Sequence, residues 1–201
     1  MSSEGNGWEK LPGRLVVISG PSGSGKSTLV RRLLARPDLR VRVSVSATTR
    51  QPRPGEVRDR DYLFVSPEQF ERIGGELLES AQVHDHFYGT PSEPVRLALA
   101  DGFCVILVID VQGGFQVRQK VPQVLLVFVE PPSLEILASR LRARGTDDEA
   151  TIERRLVNAR REIELAAGYD VHVINDELDD AVDGLAAILK QHGCGARRNH
   201  D

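Results

Sequence analysis

Apolar residues fall in a few short runs separated by amphipathic stretches, and this alternation sets the expected elements. Leu15 to Ser19 is long enough for one buried strand. Phe103 to Ile109 is the most apolar run in the chain and reads as a central buried strand; Val124 to Val129 reads as another, and Val171 to Asn175 as the last. Val41 to Ser46 alternates apolar with polar, a strand with one solvated or site-facing side, and Asp61 to Val65 is a further short strand. Helices fill the spaces between. One runs from Ser27 to about Ala35 and is stopped by Pro37. Another starts at Ser66-Pro67-Glu68-Gln69, with Ser66 as N-cap, proline at the first helical position and Gln69 closing a capping box, and ends at Gly74-Gly75. Further helices are expected from Ser92 to about Ala100, from Gly113 to Lys120, from Leu134 to Arg142 under a Ser133 cap, from about Asp148 to Ala167, and from Leu178 to His192. Ala47 to Gly55, with Pro52 and Pro54, reads as a fixed loop, and Phe87 to Pro91 as a turn. Strands alternating with helices argue an α/β domain around a parallel sheet.

Composition narrows this little. The 201 residues suffice for one substantial domain, and 40% hydrophobic with 27% charged residues is ordinary for a globular protein. A net charge of −3 advertises neither nucleic acid nor an anionic membrane as partner. No apolar run reaches transmembrane length and the start lacks a signal-peptide core, so a cytoplasmic protein is expected. Cys104 reads as a small buried hydrophobe and Cys194 as part of a polar tail; together they make neither a disulfide framework nor a metal site. His84, His86 and His172 lack metal spacing and read as surface or strand histidines. Residues 1–12 and 193–201 are expected to be flexible tails, with Trp8 loosely docked or free.

The chemistry starts at Gly20-Pro21-Ser22-Gly23-Ser24-Gly25-Lys26-Ser27, a G-x-x-x-x-G-K-S phosphate loop set between the first strand and the first helix. Glycines let the backbone turn several N–H groups into one concavity, and the helix start adds unpaired N–H groups and a positive dipole end. Lys26 supplies a point charge for the outer phosphates, and the Ser27 hydroxyl suits a Mg²⁺ shell. Asp110 ends the most apolar run; it either starts a turn or is the Mg²⁺-organising carboxylate that follows a buried strand beside a phosphate loop, and the run of hydrophobes ending there favours the second reading. Arg50 and Arg53, three apart on the proline-bearing loop, are either solvated arginines or a paired clamp on a dianion. The stretch from Arg140 to Arg161 is arginine-rich. Arg142, Arg160 and Arg161 read as salt-bridged helix faces; the others suit a lid that carries positive charge onto a phosphoryl group.

With these motifs in order along the chain, the sequence resembles the guanylate kinase family over about residues 13–192. The resemblance rests on Ile18 to Ser27, Ser44 to Glu56, Asp61-Tyr62, Tyr88-Gly89-Thr90, Ile109 to Gly113, Arg144-Gly145-Thr146 and Val173 to Asp176. It implies a P-loop three-layer α/β fold with a central parallel sheet (13–45, 93–133 and 168–192), a small mixed α/β GMP-binding lobe (about 46–92) and a helical lid (about 134–167). It implies ATP as donor, Mg²⁺, and phosphoryl transfer to GMP and dGMP. Gly20 to Ser27, Thr28, Arg144 and Asn175 would bind ATP, with Lys26, Arg50, Arg140, Arg155 and Asp110 catalytic. Arg50, Arg53, Tyr62 and Tyr88 would hold the GMP phosphate, and Asp110 would border it. Ser46, Glu79 and Thr90 would read guanine, Glu79 accepting from N1–H and the exocyclic amine together. The sequence departs from the family at Val108, where members usually carry an acid two residues before Asp110, and, less sharply, at His84-Asp85-His86-Phe87. The alternatives are a reduced-activity or non-catalytic nucleotide-binding relative and a P-loop kinase acting on a ribose phosphate. Oligomeric state has no signature in the chain.

Overall fold

The computed structural model describes residues 7–83, 85–145 and 147–196. In chain order the elements are β1 (Arg14–Ser19), α1 (Lys26–Leu34), β2 (Val41–Val43), β3 (Ala47–Thr48), β4 (Leu63–Phe64), α2 (Pro67–Ile73), β5 (Leu77–Val83), β6 (His86–Pro91), α3 (Ser92–Ala100), β7 (Cys104–Val108), α4 (Val111–Lys120), β8 (Leu125–Glu130), α5 (Leu134–Ala143), α6 (Glu149–Leu165), β9 (Val171–Ile174) and α7 (Leu178–Gln191). The aliphatic strands form one parallel sheet in the order β2-β7-β1-β8-β9. Side chains of β1 alternate between its faces. Val16 and Ile18 pack with Leu29 and Leu33 of α1 and Leu185 and Leu189 of α7. Leu15 and Val17 pack with Leu99 of α3, Val117 of α4, and Tyr169. The result is a sheet between two helical layers. Ile18 pairs with Val108 in register, so the loop after β1 and Asp110 after β7 emerge side by side at the carboxyl edge of the sheet.

A second, mixed sheet follows the order β4-β3-β6-β5. Three expectations change here. The strand expected over Val41–Ser46 stops at Val43, because Ser44 to Ser46 carry the chain from one sheet to the other. Ala47–Thr48, inside the expected loop, is β3, and Phe87–Pro91, expected to turn, belongs to β6; both are strands because they pair with each other. Helix α2 starts as its sequence dictates, with the full capping box between Ser66 and Gln69. In β5 the stretch from Leu77 to Ser80 lies against Pro91 to Gly89 of β6, so Leu78 and Glu79 together oppose Thr90. This bulge breaks the alternation, and Leu77, Leu78 and Glu79 are all buried.

Helices α5 and α6 form a hairpin closed by Leu137, Leu141, Ile152 and Ala159. Ser133 and Asp148 cap them by accepting from the N–H groups of Ile136 and Thr151. Trp8 and Cys194 are better packed than expected. Trp8 is buried, with the Arg96 guanidinium 4.4 Å from its ring centre. Cys194 is buried too, because its carbonyl accepts from Arg40 N–H at 3.1 Å and Gly195 bridges Leu39. The bond to the neighbouring Cys194 thiol, with burial, pushes the Cys104 thiol up, so Cys104 stays protonated and unreactive. His86 and His172 lie in β6 and β9. The expectations for His84, Thr146, residues 1–6 and residues 197–201 lie outside the described residues. Among the described residues, no helix is long and apolar enough to cross a membrane.

Candidate active site

The phosphate loop leaves β1 and enters α1 at Lys26. Gly25 has φ 90°, and a Cβ there would stand 2.2 Å from Asn175 Nδ2, so backbone freedom and close approach both require glycine. Asn175 is buried and donates to the Ser24 carbonyl at 2.7 Å. It braces the loop from beneath rather than facing its mouth. The Lys26 ammonium folds back onto the Gly20 and Pro21 carbonyls. Burial lowers its pKa to about 8, opposed by the Glu162 carboxylate and reinforced by Arg144. A recess of about 150 Å³ at the loop mouth is lined by Ser22, Gly23, Gly25, Lys26, Ser27, Thr28 and Arg144. Arg155 reaches it from α6, donating to Ser22 Oγ at 2.8 Å and pairing with Asp147 at 3.2 Å. Arg140 points elsewhere: it donates to the Asn175 carbonyl at 2.9 Å and ties α5 to the end of β9. Arg142 pairs with Glu149 at 2.8 Å, the salt-bridged face expected of it.

A second cavity of about 360 Å³ shares Gly20, Ser22 and Lys26 with the loop. Its other walls are Ser46, Tyr62, Glu79 and Tyr88 from the small sheet side, Val108 to Asp110 from the end of β7, and Glu162 from α6. Three predicted groups form a chain at its base. Thr90 donates to Glu79 Oε1 at 2.6 Å, and its hydroxyl lies 3.1 Å from that of Ser46. With its own proton given to Glu79, Thr90 accepts from Ser46. Burial pushes the Glu79 carboxyl up, the Thr90 bond partly offsetting it. Arg50 donates to Tyr88 Oη at 3.1 Å and sits 5.4 Å from the Tyr62 ring centre, and Tyr62 and Tyr88 meet edge to face. Its fork is filled by Glu56, both oxygens at 2.9 Å. The Arg50 hydrogen bonds, with one from Arg53 N–H, hold the Glu56 carboxyl down at about 2. The Arg53 side chain is exposed and lines neither cavity.

Asp110 caps α4, accepting from Gly113 N–H at 2.7 Å through one oxygen. The backbone behind it is pinned: Ser19 Oγ donates to the Ile109 carbonyl at 2.8 Å, and Tyr169 Oη donates to Ser19 at 2.8 Å. A Cβ on Gly114 would stand 2.0 Å from that Tyr169 oxygen. Sequence reasoning singled out none of Glu56, Glu162, Ser19 and Tyr169 for the site. The signal for Glu162 was its spacing of seven from Arg155, two helical turns and the same face of α6. Val108 is 37% exposed into the cavity that Glu162 also lines. For a divalent ion the donors are oxygens: the exposed Ser27 hydroxyl at the loop mouth and the second oxygen of Asp110, with Lys26 lining both spaces. One hydroxyl and one carboxylate completed by waters and phosphate oxygens fit Mg²⁺. Among the described residues, no group of three or more His, Cys, Asp or Glu could hold a metal by itself. A roomier hollow of about 690 Å³, lined by Phe70, Leu77 and Phe87 among others, contains none of the predicted site residues.

A glycine loop entering a helix from the central strand of a parallel sheet, with a strand-end acid beside it and an arginine-bearing helical hairpin over it, defines a P-loop nucleotide-binding protein. Comparison with known proteins is more specific. The sequence model described as guanylate kinase matches residues 12–192. The chain is 52% identical to a guanylate kinase of Gloeobacter violaceus over 179 residues, covering 88% of this chain and 86% of that one. It is 44% identical to a guanylate kinase of Caldanaerobacter subterraneus over 194 residues, covering 96% and 94%. Its fold superposes on the crystal structure of guanylate kinase from Anaplasma phagocytophilum with a TM-score of 0.71 at 33% identity, covering 90% and 86%. The chain belongs to the guanylate kinase family.

Proposed function

We infer that the two joined cavities are the active site of a guanylate kinase. The chain transfers the terminal phosphoryl group of ATP to GMP, giving ADP and GDP. One observation within the molecule carries the reading: a phosphate loop and a second pocket bordered by an arginine and two phenols open onto one space, with a buried carboxylate at its base.

In this reading Gly20 to Thr28 hold the ATP phosphates, and Arg144 and Arg155 reach them from the lid. Arg50, Tyr62 and Tyr88 grip the GMP phosphate, with Arg53 joining from its exposed loop as the lobe closes. The Glu56 carboxylate now in the Arg50 fork stands where two oxygens of the dianionic phosphate would bind, and GMP displaces it. Glu79 accepts from guanine N1–H and the 2-amine; adenine lacks that donor pair and would leave a buried carboxylate unpaired. Because Thr90 donates to Glu79, and Ser46 to Thr90, one hydroxyl must turn to donate to guanine O6. dGMP presents the same base and phosphate. An oxygen of the GMP phosphate attacks the γ-phosphorus in line, and the bond to the ADP oxygen breaks. Lys26 and the lid arginines offset charge on the transferring oxygens, and lid closure excludes water as a competing acceptor. Arg140 and Asn175 act through others here, by holding the lid and the loop. Ser27 and Asp110 would hold Mg²⁺, which when bound would help neutralise phosphate charge. Glu162 brings a carboxylate to the cavity where Val108 stands in place of the family's usual acid. The reading makes the protein a cytoplasmic enzyme of purine nucleotide metabolism, with no nucleic-acid or membrane partner.

The test is ADP release with ATP and Mg²⁺ against GMP, dGMP, AMP, UMP and a ribose phosphate. Activity with GMP and dGMP far above the other three is expected. No release above background with GMP would overturn the reading.

A further inference from the structure

Glu79 sits at the bulge of β5, where a one-residue slip would exchange it with Leu78 and turn it out of the cavity. The pairing with β6 does not prevent this, because the bulge is the place where that pairing is interrupted. Strand β5 is also an edge of its sheet, so among the described residues no strand pairs with its outer N–H and C=O groups. Helix α4 supplies one. The Gln116 side-chain amide accepts from Ser80 N–H at 3.0 Å and donates to the Ser80 carbonyl at 3.0 Å, pairing as a neighbouring strand would. One turn further, Lys120 Nζ donates to the Leu77 carbonyl at 2.7 Å. Residues four apart on a helix share a face, so α4 grips β5 immediately before and after the two bulged residues. The same helix begins at Asp110, and a Cβ on its Gly113 would come within 3.2 Å of Glu79 Oε2.

We propose that α4 sets the register of the bulge, and that Gln116 and Lys120 are positioning residues through which Glu79 is held for guanine recognition. This rests on Glu79 reading the base. A Gln116→Leu change removes both bonds to Ser80 and lets the bulge relax. Gln116→Glu keeps an acceptor for Ser80 N–H but sets a carboxylate against the Ser80 carbonyl. The base contact loses definition in both, while the phosphate loop is untouched.

The experiment measures kcat and KM for GMP, and for inosine monophosphate, which keeps N1–H and O6 but lacks the 2-amine. Gln116→Leu, Gln116→Glu and Glu79→Gln are compared with the parent, and thermal melting checks that each is folded. Gln116→Leu is expected to lower kcat/KM for GMP about tenfold, mostly through KM, with a smaller loss at Gln116→Glu. Both are expected to shrink the preference for GMP over inosine monophosphate and to leave KM for ATP unchanged. Lys120→Met should act in the same direction, and Lys120→Arg should restore the preference. Should Glu79→Gln keep the parent preference, the base-reading role itself fails. Loss of preference in Glu79→Gln with parent preference in both Gln116 variants overturns the α4 inference alone. Gln116→Glu decides if Gln116→Leu does not fold.

Discussion

Replacing Asn175 with alanine removes the brace beneath the phosphate loop. The amide that donates to Ser24 O at 2.7 Å is lost, and the residue is only 5% exposed, so water does not readily replace it. A buried carbonyl left without its donor costs about 1–3 kcal/mol. For a domain of this size each kcal/mol shifts the melting temperature by about 2–4 °C, so a fall of about 2–12 °C is expected. The lesion lies in the shape of Ser24-Gly25, the turn that leads into Lys26 and Ser27 at the loop mouth. KM should therefore rise for any triphosphate donor alike, and KM for GMP should not. Differential scanning fluorimetry gives the first quantity, and initial rates with ATP and with CTP as donors give the second. An unchanged melting temperature, with KM rising for ATP but not for CTP, would refute the bracing argument, because it would make Asn175 a contact to the adenine.

Two further outcomes follow from the same geometry. A Gly→Ala change inside a helix usually stabilises by about 1 kcal/mol, but at Gly114 the new Cβ would lie 2.0 Å from Tyr169 Oη, so Gly114→Ala is expected to destabilise by about 1–3 kcal/mol in urea denaturation; an unchanged or higher midpoint would contradict this. With its pKa lowered to about 8 mainly by burial, Lys26 is charged in the free enzyme only below that pH, so kcat/KM for ATP should decline as pH rises through about 8, and a profile flat to pH 10 would contradict it.

Much of this arrangement is written locally in the chain. The aliphatic runs of β1, β7 and β8 read as buried strands and are, the Ser66 capping box starts α2, and the glycine loop lies where its motif puts it. What was less legible depends on partners distant in sequence. Phe87–Pro91 reads as a turn until Thr48 and Ala81 lie across from Tyr88 and make a strand of it. Trp8 and Cys194 read as parts of loose ends because their packing partners, Arg96 and Arg40, come from elsewhere in the chain. The same holds in the site. The family resemblance pointed to anion and base recognition at Arg50, Glu79 and Thr90, but the bulge under Glu79 is a pairing effect with no local signal. Arg140, on α5, donates to the Asn175 and Asp176 carbonyls, a link to the end of β9 that its own helix does not announce.

Direct transfer between two nucleotides in one cavity is tested most directly by single-turnover quenching with γ-labelled ATP, Mg²⁺, GMP and excess enzyme. Direct transfer passes the label to the β-phosphate of GDP, with none on the protein and little in inorganic phosphate. Label on the protein, or released mainly as inorganic phosphate, would contradict it.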